Sequence, residues 1–346
     1  MAGAAARDSP QSTPGRPADG AVVLVNTGTP AAPRSAAVRA FLRRFLSDPR
    51  VIELPRALWL PLLYGLVLPL RSPRSAHKYR QIWQADGSPL MIHNSGLRAA
   101  LEQVLGADSQ WAALRVEQAF LYSRPYVGET LDALRDAGAR RLLILPLFPQ
   151  SSGSTTGAVY DQVGQALRRW RALPELRFIA GYHAQAPYIA ALAASLSNHW
   201  LGRARDSHLL MSFHGIPQSY VTLGDRYAAE CRQTAAQLAL ALRLAPREWS
   251  LSFQSRFGAN RWLTPATDAT LRELPGRGIR AVTVICPGFA VDCLETLEEV
   301  ALTGREMFLQ AGGERFDYVP ALNASREHAE ALAQLLRGHS SDWAAG

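Results

Sequence analysis

One histidine and a row of carboxylates are the residues of this 346-residue chain best suited to chemistry. His214 lies in Ser212-Phe213-His214-Gly215-Ile216-Pro217, at the end of a β-rich run, the only one of eight histidines in such a setting. Its near-neutral pKa suits a proton acceptor or a metal ligand. Asp292, Glu295 and Glu299 follow another β-rich run at i, i+3 and i+7, so an α-helix would align all three on one face. Acidic residues in a first helical turn also serve as caps, but a stripe longer than one turn costs stability unless cations or protons visit it. Nitrogen and oxygen donors suit a first-row metal such as Fe²⁺, and the set is too sparse for a closed structural site. Both a metal transferase and a metal-dependent hydrolase fit these residues.

Eight strand candidates must position these groups: Ala21–Asn26, Val116–Tyr122, Arg141–Leu147, Leu176–Ala180, Ser207–Phe213, Trp249–Gln254, Arg280–Cys286 and Phe316–Val319. Helical patterns such as Arg226–Leu244 and Leu294–Gln310 lie between them, which predicts an α/β protein with parallel sheets covered on both faces. One barrel or two doubly wound sheets would both accommodate eight strands, with a domain crossing near 174–187. In open sheets of this kind, ligands bind beyond the carboxyl ends of the strands. Other strand ends are weaker candidates. Asn26–Pro30 lacks the glycines of a dinucleotide fingerprint, and Pro149–Gly157 lacks the lysine of a phosphate loop. The hydroxyl-rich 151–157 loop reads as either an anion cradle or a turn with a helix cap.

Composition narrows the function classes. The 37 Lys and Arg outweigh 29 Asp and Glu, for a net charge of +8, yet Lys78 is the sole lysine and the arginines are dispersed. A nucleic-acid interface, which needs clustered charge, is not expected. Three cysteines, Cys231, Cys286 and Cys293, exclude a disulfide framework and a four-cysteine metal site. Residues 1–20 carry three prolines and no Leu, Ile, Val or aromatic residue, which predicts a disordered tail without a secretory signal and a cytoplasmic protein. The apolar run Ala57–Leu70 would span about 21 Å as a helix, too short to cross a bilayer core of about 30 Å. It reads as a buried core segment or as an exposed lip for a membrane surface or a greasy ligand.

The ordered set of motifs resembles the ferrochelatase family. It comprises Val25–Pro30, Gly87-Ser88-Pro89, Leu145–Gln150 with Ser154–Gly157, Ser212–Pro217, Gly224–Tyr227, Phe253–Gly258 with Trp262-Leu263, and Pro287–Phe289 continuing through Asp292–Glu299. The resemblance implies two similar Rossmann-like domains, residues 21–174 with 318–340 and residues 175–317, with a porphyrin in the cleft between them. It also implies that the last helix packs back on the first domain. By position, His214 matches the family's active-site histidine and Glu295 its active-site glutamate, both as catalytic groups and metal ligands. Asp292 and Glu299 match an acidic relay, Thr27, Tyr122 and Trp262 match cleft positions, and Ala57–Leu70, represented by Trp59 and Leu63, matches the lip. The animal enzymes have Met where Thr27 stands and His where Cys293 stands, and Leu121 replaces an arginine that the family resemblance places before the tyrosine matching Tyr122.

The implied activity is that of a lyase that inserts Fe²⁺ into protoporphyrin IX with release of two protons, the last step of haem biosynthesis. Fe²⁺ is then a substrate, and neither a resident cofactor nor an iron–sulfur cluster is expected. A monomer in peripheral contact with the inner membrane surface is expected as well. The competing expectations are a chelatase for coproporphyrin or sirohydrochlorin, and a non-enzymatic porphyrin or metal carrier.

Overall fold

The computed structural model describes residues 20–202, 206–256 and 261–343. The tail expected over 1–20 therefore lies, Gly20 apart, outside the described residues. Eight runs of aliphatic and β-branched residues form strands, and their pairing divides them into two sheets rather than one barrel. β1 (Gly20–Asn26), β2 (Arg115–Phe120), β3 (Arg141–Pro146) and β4 (Glu175–Phe178) form a parallel sheet in the order β2-β1-β3-β4. β5 (His208–His214), β6 (Trp249–Gln254), β7 (Ala281–Ile285) and β8 (Arg315–Val319) repeat that order as β6-β5-β7-β8. All eight expected strands are present, shifted by at most two residues. β1 is buried along its whole length, as a central parallel strand covered by helices on both faces must be.

Strand pairing moves the expected domain boundaries. A division at 174/175 detaches β4, which pairs with β3 from Arg141↔Glu175 to Ile144↔Phe178. A division at 317/318 cuts through β8, whose register with β7 runs to Ile285↔Val319. The chain crosses after β4 and returns after β8, because a strand cannot leave a sheet that satisfies its backbone. The last helix, Arg326–His339, packs against the helix Pro89–Gly106 of the first half and against Ala186–Trp200. Its His328 is fully buried and donates from Nδ1 to the Asn323 carbonyl at 2.7 Å. Burial lowers its pKa to about 4, against the opposing pull of that hydrogen bond.

The apolar run is helical throughout: Arg56–Leu62 is α, Leu63–Val67 makes a π turn, and Leu68–Ile82 resumes as α. Its two faces differ from the expectation. Trp59 and Leu63, taken as lip residues, point inward at 4% and 0% exposure, and Trp59 Nε1 donates to the Leu46 carbonyl at 2.7 Å. Leu58, Leu62, Leu66 and Leu70 form the exposed stripe, at 73%, 45%, 52% and 52%. Four-residue spacing keeps that stripe on one side as the helix runs through its wider turn. Among the described residues no helix is long and apolar enough to cross a membrane.

Two stability measurements check this packing. Leu63→Ala should destabilise the fold by about 2–5 kcal/mol in urea titrations, whereas Leu62→Ala should stay within about 0.5 kcal/mol. For His328 the folded pKa lies below the unfolded value of 6.5, so its contribution is complete above that value and is lost as pH falls toward 4. That contribution is about 3 kcal/mol, and His328→Gln should flatten the dependence of the urea midpoint on pH between 7 and 4.5.

Candidate active site

His214 is the last residue of β5, and Asp292–Glu299 follows β7, its neighbour in the sheet. In this strand order those are the central strands from which the connections diverge to opposite sides, where a crevice forms at the carboxyl ends. His214 Nδ1 donates to the Gly215 carbonyl at 2.7 Å, which leaves the Nε2 lone pair as the acceptor of the neutral ring. The turn after it is held closely. Gly215 N donates to the Gln254 carbonyl at 2.8 Å, and a Cβ on Gly215 would stand 2.8 Å from that same oxygen and 3.3 Å from the Trp262 ring. Trp262, half-buried, is paired with Pro217 across an antiparallel bridge, with its ring against Gly215.

The acidic segment is not the α-helix its spacing suggests. Glu295–Gly304 is a ten-residue π-helix, and Asp292 precedes it. Four residues apart on this helix, Glu295 and Glu299 share one side, and the charges of His214 and Glu295 both act on Glu299. Asp292 is absent from that face. Its buried carboxylate accepts from Thr296 Oγ1, Tyr318 OH and Asn323 Nδ2 at 2.8, 2.6 and 2.8 Å, so it clamps the start of the helix to the end of β8. Of the two residues expected as an acidic relay, Glu299 alone lies on that face.

Glu299 accepts from Ser255 N and Ser255 Oγ, both at 2.6 Å. Burial nonetheless pushes its pKa above the ordinary carboxylate value, with the Ser255 bonds and the nearby imidazole pulling the other way. The main-chain carbonyl of Glu295 accepts from Gln254 Nε2 at 2.8 Å, and Gln254 Oε1 accepts from Ser212 Oγ at 2.7 Å. Arg71, on the apolar-run helix, lies within electrostatic range of Glu295; burial lowers its pKa and the carboxylate opposes that. The Cys293 thiol is held well above its usual pKa by burial and then by Glu295.

Other expected positions fall differently. Thr27 is half-buried at the end of β1, its amide bound to Asn26 Oδ1 at 2.8 Å. Tyr122 does not offer its phenol to a cleft: it is buried, its hydroxyl donates to Asp48 Oδ2 at 2.9 Å, and its ring packs on Phe45. Its amide supports the Thr27 carbonyl at 3.0 Å, so it braces that turn from beneath. In the 151–157 loop the amides of Ser151 and Gly153 donate to the carboxylates of Glu230 and Asp225 at 2.7 and 2.9 Å. The protein itself thus fills the anion cradle. A cavity of about 560 Å³ opens beside this loop, and its lining omits His214 and Glu295.

Among the described residues no three His, Cys, Asp or Glu side chains converge as a metal-binding group. The arrangement offers an imidazole lone pair near a carboxyl group whose burial favours its protonated form. Gln254, Ser255, Arg71 and the Lys78–Glu298 ion pair, at 2.7 Å, were not anticipated. Gln254 and Ser255 stood in a motif, but neither spacing nor residue type disclosed their bonds to the acidic helix.

The ferrochelatase family model matches residues 19–340. A ferrochelatase of Aeromonas hydrophila subsp. hydrophila is 50% identical over 315 residues, covering 91% of this chain and 97% of that protein. One from Methylococcus capsulatus is also 50% identical over 315 residues, covering 91% and 95%. Among solved structures, SirB from Bacillus subtilis with Fe³⁺ superposes with a TM-score of 0.56 at 11% identity, covering 94% of this chain and 97% of that one. The sirohydrochlorin chelatase SirB from Bacillus subtilis subspecies spizizenii in complex with cobalt gives 0.53 at 10%, covering 94% and 96%. These two likenesses concern the two-sheet fold. By its sequence from the first strand to the last helix, the chain belongs to the ferrochelatase family, enzymes of the lyase class that insert iron into a porphyrin.

Proposed function

We propose that the crevice at the ends of β5 and β7 receives protoporphyrin IX and Fe²⁺, with His214 and Glu295 as the groups on which insertion depends. The observation that carries this reading is the fixed tautomer of His214, whose Nε2 lone pair is available in company with Glu295 and Glu299. Insertion removes two pyrrole N–H protons and needs one face of the macrocycle opened, so strain imposed by remote contacts assists it. Neutral His214 accepts a pyrrole proton at Nε2. The resulting imidazolium favours an ionised Glu299, and the raised pKa of that carboxyl suits it to take up and pass on protons. Glu295 faces the incoming metal. Trp262, against Gly215, offers an aromatic surface to the ring plane.

The exposed leucine stripe supports protoporphyrin, with two propionates, over coproporphyrin, with four. The stripe also suits peripheral contact with the cytoplasmic face of a membrane, from which a greasy porphyrin would arrive. Both β5 and the π-helix belong to one chain, so a monomer suffices.

Anaerobic spectrophotometric turnover tests this reading, with protoporphyrin and coproporphyrin as parallel substrates. Protoporphyrin should be turned over with the higher kcat/KM. His214→Ala and Glu295→Gln should each lower Fe²⁺ insertion by about 10²–10⁴ with unchanged thermal unfolding; wild-type rates in both would refute the assignment. Leu62→Asp combined with Leu66→Asp should raise KM for vesicle-borne protoporphyrin roughly tenfold while kcat holds. An unchanged KM would remove the stripe from substrate delivery.

A further inference from the structure

Lys78, the sole lysine of the chain, stands on the helix Leu68–Ile82, which continues directly from the exposed leucine stripe. Its Nζ lies 2.7 Å from Oε2 of Glu298, on the π-helix between Glu295 and Glu299. The two ends are unlike: the lysine side chain is 47% exposed and the glutamate only 7%. The second Glu298 oxygen accepts from Thr303 Oγ1 at 3.2 Å, within the π-helix itself.

The pair crosses from the half of the molecule built on β1–β4 to the half built on β5–β8. Beside it runs an apolar seam, where Leu294 and Leu297 pack against the cluster containing Trp59, Leu63 and Leu68. Apolar contact holds the two helices together but is non-directional, so it tolerates sliding. A charge-assisted hydrogen bond has a defined geometry and fixes where along each other the helices stop. Glu298 also needs a cation for its own sake: it is a nearly buried carboxylate with Glu295 and Glu299 close in sequence, and an unpaired charge there is strongly disfavoured.

We propose that Lys78 and Glu298 form an interdomain tie that registers the leucine-bearing helix against the acid-bearing π-helix and thereby sets how readily a porphyrin enters and stays in the crevice. Both are positioning residues. They act through the spacing of the two helices and not at the reacting atoms. The proposal rests on the reading of that crevice as the porphyrin site.

The test compares Lys78→Met, Glu298→Gln, the charge-preserving Lys78→Arg and the reversed pair Lys78→Glu with Glu298→Lys. Two readouts are needed: KM and kcat for protoporphyrin with Fe²⁺, and the metal-free Kd for protoporphyrin from quenching of tryptophan fluorescence. The two neutralising variants should raise KM and Kd together by roughly 3- to 10-fold, with kcat within about twofold of wild type. Lys78→Arg should stay near wild type, and the reversed pair should recover most of the lost affinity. Wild-type KM should rise between 0.05 and 0.5 M NaCl, and that dependence should be weaker in Lys78→Met. Unchanged KM and Kd in the neutralising variants would overturn the proposal. So would a fall in kcat at constant KM, the mark of a partly misfolded population, or a reversed pair no better than the single variants. Because Kd is read without metal, the outcome is independent of whether His214 and Glu295 prove essential for insertion.

Discussion

One hydrogen bond carries more of this structure than its length suggests: the Gln254 amide to the main-chain carbonyl of Glu295. Gln254 ends β6. Its own carbonyl holds the turn after His214, and its side chain holds the first residue of the acidic helix. One buried residue thereby fixes His214 and the carboxylate face relative to each other. The amide is oriented in turn, since Ser212 donates to its oxygen and Thr267 shares a hydroxyl contact with both Ser212 and Ser252. That chain of hydroxyls lies in the sheet core, where leaving any member unpaired would be costly. The rigidity needed at the reacting face is thus supplied by neutral groups behind it.

The repeated strand order explains why the chemistry collects where it does. β5 and β7 are neighbours, and the connections leaving them diverge, so their carboxyl ends open a crevice instead of meeting a packed layer. The first sheet has the same order, and its corresponding end at Asn26–Thr27 closes on Tyr122 and Asp48. One sheet presents reactive groups, and the other presents a braced wall and the leucine-bearing helix.

Much of this was legible in the residues. Eight strands could be read because parallel strands buried on both faces are continuous apolar runs, and His214 stood out because function gathers beyond strand ends. The carboxylate spacing was legible as a stripe, but its start was not: the helix begins at Glu295, and Asp292, which precedes it, is taken up in a structural clamp. The lip failed for a related reason. In a run composed almost wholly of leucine, proline and aromatic residues, no contrast marks which side faces outward, so Trp59 and Leu63 could not be told from Leu58 and Leu62. Tyr122 looked like a ligand contact because nothing in the sequence announces that Asp48, 74 residues away, claims its hydroxyl. Lys78 and Glu298, 220 residues apart, were invisible as a pair for the same reason.

The cysteines bear on how the protein meets oxidants. All three are buried and free, and at Cys293, two residues before Glu295, burial and that carboxylate both oppose a thiolate. Oxidation and alkylation begin from an accessible thiolate, so a buried thiol that keeps its proton is a slow target for both. Sulfur at the foot of the acidic helix thus serves as a small apolar filler, and the helix start is kept free of oxidative damage by the same packing that shapes it.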